Sequence, residues 1–321
     1  MSKPTVIVIC GPTASGKTAL SIELAKRIDG EIVSADSMQI YKYMDIGSAK
    51  PTKEEMSGIK HYMLDFLEPN IRYSVADYKK EAEKCIKEIV SKGKVPIVVG
   101  GTGLYVNSLI YGIEYNENKL DEKYRTELEK IAEENGLEDL YNKAYDIDPI
   151  AMEKISRNDK KRILRVLEIY HETGKTKTEI EIESRSKDVE YEYKVFALDM
   201  DRQKLYDRIN QRVDIMIESG LIEEVRNLIS KYDELPTAIQ GLGYKETKEY
   251  IDGTISKEDM IDKIKMETRR YAKRQLTWFR KNKETIWINA LGPMEKNIQI
   301  ILEEINWRKN QREEENLIKR N

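Results

Sequence analysis

The chain alternates short, wholly apolar runs with longer stretches in which apolar residues recur every three or four positions. Thr5-Val6-Ile7-Val8-Ile9-Cys10 and Val95-Pro96-Ile97-Val98-Val99 are continuous runs of the kind that strands buried on both faces require, and Glu31-Ile32-Val33-Ser34 is a third. Between them Leu20, Ile22, Leu24, Ala25 and Ile28 keep one helical face. Tyr78, Ala82, Cys85, Ile86, Ile89 and Val90 keep another, with Gly93 placed to stop it. Strands separated by helices predict an α/β fold with a parallel sheet and right-handed crossovers. The pattern shifts near Gly112: residues 114–192 carry dense charge and helical periodicity, clearest over Lys119–Asn135 and Asp159–Thr173. Strand character resumes at Tyr193–Leu198, a long helix is predicted over Arg202–Ser219 before Gly220, and Thr285–Ile288 reads as a late strand. The expected organisation is a core begun by residues 1–113, a mostly helical insertion over 114–192, completion of the core over 193–295, and a charged terminal helix or tail over 296–321.

The first apolar run leads into Gly11-Pro12-Thr13-Ala14-Ser15-Gly16-Lys17-Thr18, which fits G-x-x-x-x-G-K-[ST] at every fixed position and precedes an amphipathic helix. In that strand–loop–helix setting the motif is a nucleotide- or diphosphate-binding P-loop, so the expected core is P-loop NTPase-like. Its backbone N–H groups point at phosphate oxygens, Lys17 neutralises them, and the Thr18 hydroxyl is the expected ligand of Mg²⁺. A hydrolase of this class also needs an acid at the end of a neighbouring strand to hold the magnesium. The Val95–Val99 strand instead runs into Gly100-Gly101-Thr102-Gly103, and the acid on offer is Asp36, after the Glu31–Ser34 strand. Such a site suits diphosphate as a leaving group in some other transfer.

Composition narrows the classes further. The chain has 321 residues, 35% of them charged, and a net charge of −3, which gives no global sign of a nucleic-acid partner. Locally, Lys265, Arg269, Arg270, Lys273, Arg274, Arg280, Lys281 and Lys283 crowd a stretch with Glu267 as its only acid. Lys160, Lys161, Arg162 and Arg165 form a second basic helix suited to phosphates. Two histidines, His61 and His171, and two cysteines, Cys10 and Cys85, make zinc clusters and histidine triads improbable; all four read as structural. No apolar run approaches the ~18 residues of a membrane span. A cytoplasmic monomer with no leader peptide is the expectation.

The motifs GPTASGKT (11–18), SADSMQIY (34–41), MDIGSAKP (44–51), YSVADY (73–78), GGTGLY (100–105), NDKKRILRVLE (158–168), RINQRVDIM (208–216), GLGYKE (241–246) and AKRQLTWFR (272–280) together resemble the bacterial tRNA dimethylallyltransferases, also called tRNA isopentenyltransferases. The resemblance runs from about Pro4 to Ile288; Ser156-Arg157-Asn158-Asp159 stands where the family often has His-Pro-Asn-Asp. It implies that dimethylallyl diphosphate donates a prenyl group to N6 of the adenosine just 3′ of the anticodon in tRNA.

For that reaction Asp36 is the natural acceptor of the amine proton, against the plainer reading that it caps the following turn. The resemblance implies a threonine at the target nucleotide and leaving group, here Thr102, and an arginine against the diphosphate, for which Arg212 is favoured over Arg208 one helical turn away. Ser37, Met38 and Gln39 follow the base, and Gln39 is expected to read a flipped adenine. Lys273, Arg274, Gln275, Trp278 and Arg280 mix cations with aromatics on one RNA-facing segment. By family correspondence Arg125, Gly243, Tyr244 and Lys245 are also expected at the tRNA. Three rivals predict other outcomes: a P-loop kinase, an adenylate isopentenyltransferase acting on free nucleotide, and a nucleotide-gated RNA-binding switch without catalysis.

Overall fold

The structure, a computed structural model, describes residues 3–113, 115, 121–186 and 188–306. Its elements run β1 (Thr5–Cys10), α1 (Lys17–Ile28), β2 (Gly30–Ser34), α2 (Lys53–Met56), β3 (His61–Tyr62), α3 (Val75–Ser91), β4 (Val95–Gly100) and α4 (Gly103–Ile110). Five helices follow: α5 (Glu122–Glu134), α6 (Glu138–Ile147), α7 (Pro149–Met152), α8 (Lys160–Thr173) and α9 (Lys177–Ser186). The chain then returns through β5 (Glu192–Asp199), α10 (Arg202–Glu218), α11 (Leu221–Lys231), α12 (Tyr244–Ile251), α13 (Lys257–Phe279), β6 (Ile286–Asn289) and α14 (Met294–Glu304).

The six strands form one sheet in the order β3-β2-β4-β1-β5-β6, parallel at every pairing. The apolar runs behave as their composition requires: β1, β2 and β4 are buried almost from end to end. Ile7, Ile9, Leu24, Ile28, Ile32, Ile97, Phe196, Ile298 and Ile301 form one core cluster, which places α1 and α14 against the sheet. A second cluster joins Ile40, Tyr41 and Met44, after β2, to Val213, Leu221, Val225, Leu228, Tyr244, Met260 and Ile264 of α10–α13. Tyr41 is fully buried in this cluster. Cys10 is buried as expected, whereas Cys85 is only partly so.

Two compact units divide the described residues: those before Asn107 and after Val189, and the stretch Asn107–Val189. The division falls inside α4, a little before the compositional shift at Gly112. Within the second unit Leu128, Leu140, Tyr141, Ala144, Met152, Ile163, Leu164 and Leu167 enclose a core of their own. The helix expected over Lys119–Asn135 is described as Glu122–Glu134; Lys119 lies outside the described residues, as do residues 307–321 of the expected terminal helix or tail. Asp159 caps α8 by accepting from the Arg162 N–H, and Gly174 ends it in the left-handed region.

Candidate active site

Three consecutive strands, β2, β4 and β1, deliver their C-terminal ends to one edge of the sheet. The chain reverses its direction of strand addition around β1, and ligand sites in open parallel sheets form at such a place. The ends of β2 and β4 are stitched together. Ala35 N–H donates to the Val99 carbonyl (2.7 Å) and Thr102 N–H to the Ala35 carbonyl (3.1 Å). A Cβ on Gly100 would fall 2.1 Å from that same Ala35 oxygen, so glycine is required for the approach. This stitching sets Asp36 beside Thr102.

The P-loop closes the edge on the β1 side. Ala14 and Gly16 adopt left-handed φ values of 62° and 92°, which turn successive N–H groups inward, and α1 begins at Lys17 with no side-chain cap. The helix N-terminus is left open to an anion. The Ser15 hydroxyl is buried without a partner among the described residues and can donate to a ligand oxygen. Together with Lys17, Thr18, Arg208 and Arg212, and with Ala49, Pro51 and Glu55, it lines a cleft of about 640 Å³.

Lys17 donates to the Pro12 carbonyl at 2.7 Å. Desolvation of its ammonium and the nearby Arg212 guanidinium lower its pKa to about 8, with Asp36 acting in the opposite sense. Burial also lowers the pKa of Arg212, again opposed by Asp36. Lys17, Arg212 and Asp36 thus share one electrostatic neighbourhood. Arg208 lines the cleft but is exposed, so Arg212 is the deeper of the two arginines.

Asp36 is half-buried. Its Oδ1 accepts from the N–H groups of Met38 (2.9 Å) and Gln39 (3.4 Å), so the turn-capping role is real; Oδ2 has no hydrogen bond among the described residues. The Thr102 hydroxyl accepts from the Ser37 N–H at 3.0 Å and lies 3.3 Å from the Ser37 hydroxyl, rather than capping α4. Tyr271 of α13, not singled out from the sequence, has its phenol beside Thr102 and Gln275. Burial, with Asp36 adding, pushes its pKa up to about 12.

Several expected RNA contacts sit elsewhere. Gln39 accepts from the Ser34 hydroxyl (3.3 Å) and donates to the carbonyls of Ser48 (3.3 Å) and Ala49 (3.2 Å). Its amide thereby holds the 44–51 loop, and one lone pair of Oε1 is left unused among the described residues. Met38 packs against the second core cluster and against Gly241. Tyr244 is fully buried and donates to Glu224 at 2.6 Å, so it supports the fold and cannot meet RNA. Gly243 is buried with φ 90° at the start of α12, while Lys245 beside it is exposed. Gln275 is 5% exposed and points inward. Trp278 lies against Gly103, its indole N–H buried without a partner among the described residues.

The basic stretch is thinner in the fold than in the sequence, because other elements supply acids. Lys265 pairs with Asp214 (2.6 Å) and Arg280 with Asp199 (3.2 Å), while Arg270 pairs with Glu267 (2.5 Å) and Arg269 donates to Asn210 (2.6 Å). Lys273 and Arg274 are exposed and have no ion pair among the described residues. In the second unit Arg125 and Arg165 flank the buried Glu168 at 2.9 and 3.1 Å, Lys160 pairs with Glu133 and Arg162 with Asp159. Lys161 is exposed. His171 stacks on Tyr124, with ring centroids 3.8 Å apart.

No group of three or more His, Cys, Asp or Glu that could hold a metal occurs among the described residues, and no helix there is long and apolar enough to cross a membrane. The exposed Thr18 hydroxyl lines the cleft and, with ligand phosphates, is the kind of oxygen donor a hard cation takes.

Comparison with known proteins adds a second line. The IPP transferase family profile matches residues 39–282. A tRNA dimethylallyltransferase of Acetivibrio thermocellus is 54% identical over 285 residues, covering 88% of this chain and 91% of that protein. The solved full-length tRNA isopentenylpyrophosphate transferase of Bacillus halodurans is 41% identical with a TM-score of 0.71, covering 99% of this chain and all of that one. A eukaryotic dimethylallyltransferase acting on tRNA matches with 31% identity and a TM-score of 0.77, over 89% of this chain and 74% of that one.

Proposed function

The chain belongs to the IPP transferase family, and from that premise we propose that it transfers a dimethylallyl group from dimethylallyl diphosphate to N6 of the adenosine just 3′ of the anticodon in tRNA. The observation that carries the reading is the meeting of an uncapped P-loop, Thr102 and Asp36 at one edge of the sheet, with no second acid of the hydrolytic kind at the end of β4.

The diphosphate occupies the P-loop cleft. The free amides at the start of α1, the Ser15 hydroxyl, Lys17 and Arg212 meet its oxygens; Arg208 sits nearer the rim. The Thr18 hydroxyl would hold Mg²⁺, which when bound spreads the charge that develops on the leaving group. As N6 attacks C1 of the dimethylallyl group, the C1–O bond breaks and its electron pair leaves with diphosphate. One N6 proton passes to Oδ2 of Asp36, the carboxylate oxygen that the turn leaves unused. Thr102, held by Ser37 and next to Tyr271, stands at the acceptor side. The adenine reaches this depth only if flipped, at a cost of a few kcal/mol that is smallest in a loop already free of pairing. Lys273 and Arg274 on the exposed face of α13, Lys245, and the basic face of α8 with Arg125 are the surfaces offered to the anticodon stem-loop.

The test is incubation of the pure protein with radiolabelled dimethylallyl diphosphate, magnesium and unmodified tRNA, with AMP and ATP as competing acceptors. Label in tRNA with release of diphosphate is the expected result. Label in AMP, or phosphoryl transfer from ATP, would overturn the reading.

A further inference from the structure

Gln275 keeps company with cations in the sequence, yet its amide is directed into the protein and is used at both ends. Oε1 accepts the Thr13 N–H at 2.9 Å, and Nε2 donates to the Gly101 carbonyl at 2.9 Å. Thr13 lies in the P-loop; Gly101 lies between β4 and Thr102. One side chain of α13 therefore spans the two loops that carry the two halves of the site. The amide is close-packed on the Gly101 loop: a Cβ on Gly101 would fall 2.2 Å from Nε2. The Thr13 N–H is already committed to Gln275 and is not among the amides left for phosphate.

We propose that Gln275 is a positioning residue that sets the distance between the diphosphate cradle and the Thr102 loop, and so between the leaving group and the attacking base. This rests on the prenyl-transfer reading above. Without the amide, a partly buried donor on the P-loop and a buried acceptor on the Gly101 loop lose their partners together, and the tie that holds the two loops is gone. A misplacement of ~1 Å between reacting groups costs on the order of 10²-fold in rate.

Gln275→Met keeps length and volume and removes both hydrogen bonds. The expected result is a roughly tenfold weaker binding of inorganic diphosphate by calorimetry and a kcat lower by about 10². The Kd for tRNA and its salt dependence should stay within about twofold, because the exposed cations of α13 are untouched. The second variant, Gly101→Ala, lies on a loop that does not line the diphosphate cleft, yet its new methyl pushes on the same amide. It should weaken diphosphate binding too, whereas in a Gln275→Ala background the added Gly101→Ala should cost no more than about twofold.

Additive effects of the two positions would overturn the proposal. So would unchanged diphosphate affinity in Gln275→Met, or a loss confined to tRNA affinity. If Gln275→Met does not fold, the response of diphosphate binding to Gly101→Ala alone decides. A wild-type protein that binds diphosphate but prenylates no tRNA would refute the proposed function, while the calorimetric cycle would still read the link between the loops.

Discussion

Asp36→Asn separates the turn role that the Asp36 carboxylate holds from the base role proposed for it. The turn role uses Oδ1, mainly through the 2.9 Å hydrogen bond from Met38, since the one from Gln39 is long at 3.4 Å. Losing it costs about 1–2 kcal/mol of stability, as for a lost helix cap. The proposed base role would use Oδ2 and would be worth ~10²–10⁴-fold in rate, or about 3–5 kcal/mol of barrier. Asparagine keeps an acceptor oxygen for Met38 and cannot take the proton. Asp36→Asn should therefore fold with a melting temperature within a degree or two of wild type and lose at least ~10² in single-turnover prenyl transfer. Asp36→Ala should lose as much rate and also melt a few degrees lower. Rates come from rapid-quench assays with labelled dimethylallyl diphosphate and saturating tRNA, stabilities from thermal unfolding. An Asp36→Asn enzyme that keeps more than about a tenth of the wild-type rate, while Asp36→Ala fails, would show that the carboxylate matters only for the turn.

Because the Lys17 pKa is lowered to about 8, its charge is half lost near that pH, so its contribution to diphosphate affinity should be complete only well below pH 8 and disappear above it. Lys17→Arg should abolish that fall; affinity held to about pH 10, as an ordinary lysine would give, would contradict the desolvation argument. Asp36 raises the Lys17 pKa, so Asp36→Asn should move the midpoint lower. Arg274→Gln should reduce the salt slope of tRNA binding by about 1, and Arg280→Gln by less, since Asp199 already neutralises Arg280; equal slopes from filter binding across a salt series would place the RNA elsewhere. Glu224 accepts the N–H groups of Asp45, Ile46 and Gly47 (2.8, 2.8 and 3.0 Å) as well as the Tyr244 hydroxyl. Glu224→Gln turns a donor toward these donors and should cost about 2–3 kcal/mol in denaturant unfolding.

What was legible in the sequence follows from how local each signal is. β1 and β4 announce themselves as continuous apolar runs, α1 and α8 by helical period, and the P-loop by its spacing within a strand–loop–helix setting. β3 is two residues, His61–Tyr62, paired with β2 and too short to have a period. The packing of α10–α13 against Ile40, Tyr41 and Met44 is long-range, and no motif encodes it. Gln275 was within reach. It falls on the buried stripe of α13 with Met260, Ile264, Ala272 and Phe279, and that spacing outweighs its basic neighbours. Tyr271 stands one turn before it and inherits the same access to Thr102. The pairing of basic residues with Asp199 and Asp214 could not be read, because those acids come from β5 and α10.

The start of α1, left without a side-chain cap, binds oxygens and not a bond order. In the proposed reaction its amides and Lys17 would grip inorganic diphosphate, with one more ionisable oxygen than the ester, at least as firmly as they held the ester before. Emptying the pocket would then be a step in its own right, and turnover would depend on how quickly the by-product is surrendered, or destroyed in solution, as well as on the alkylation.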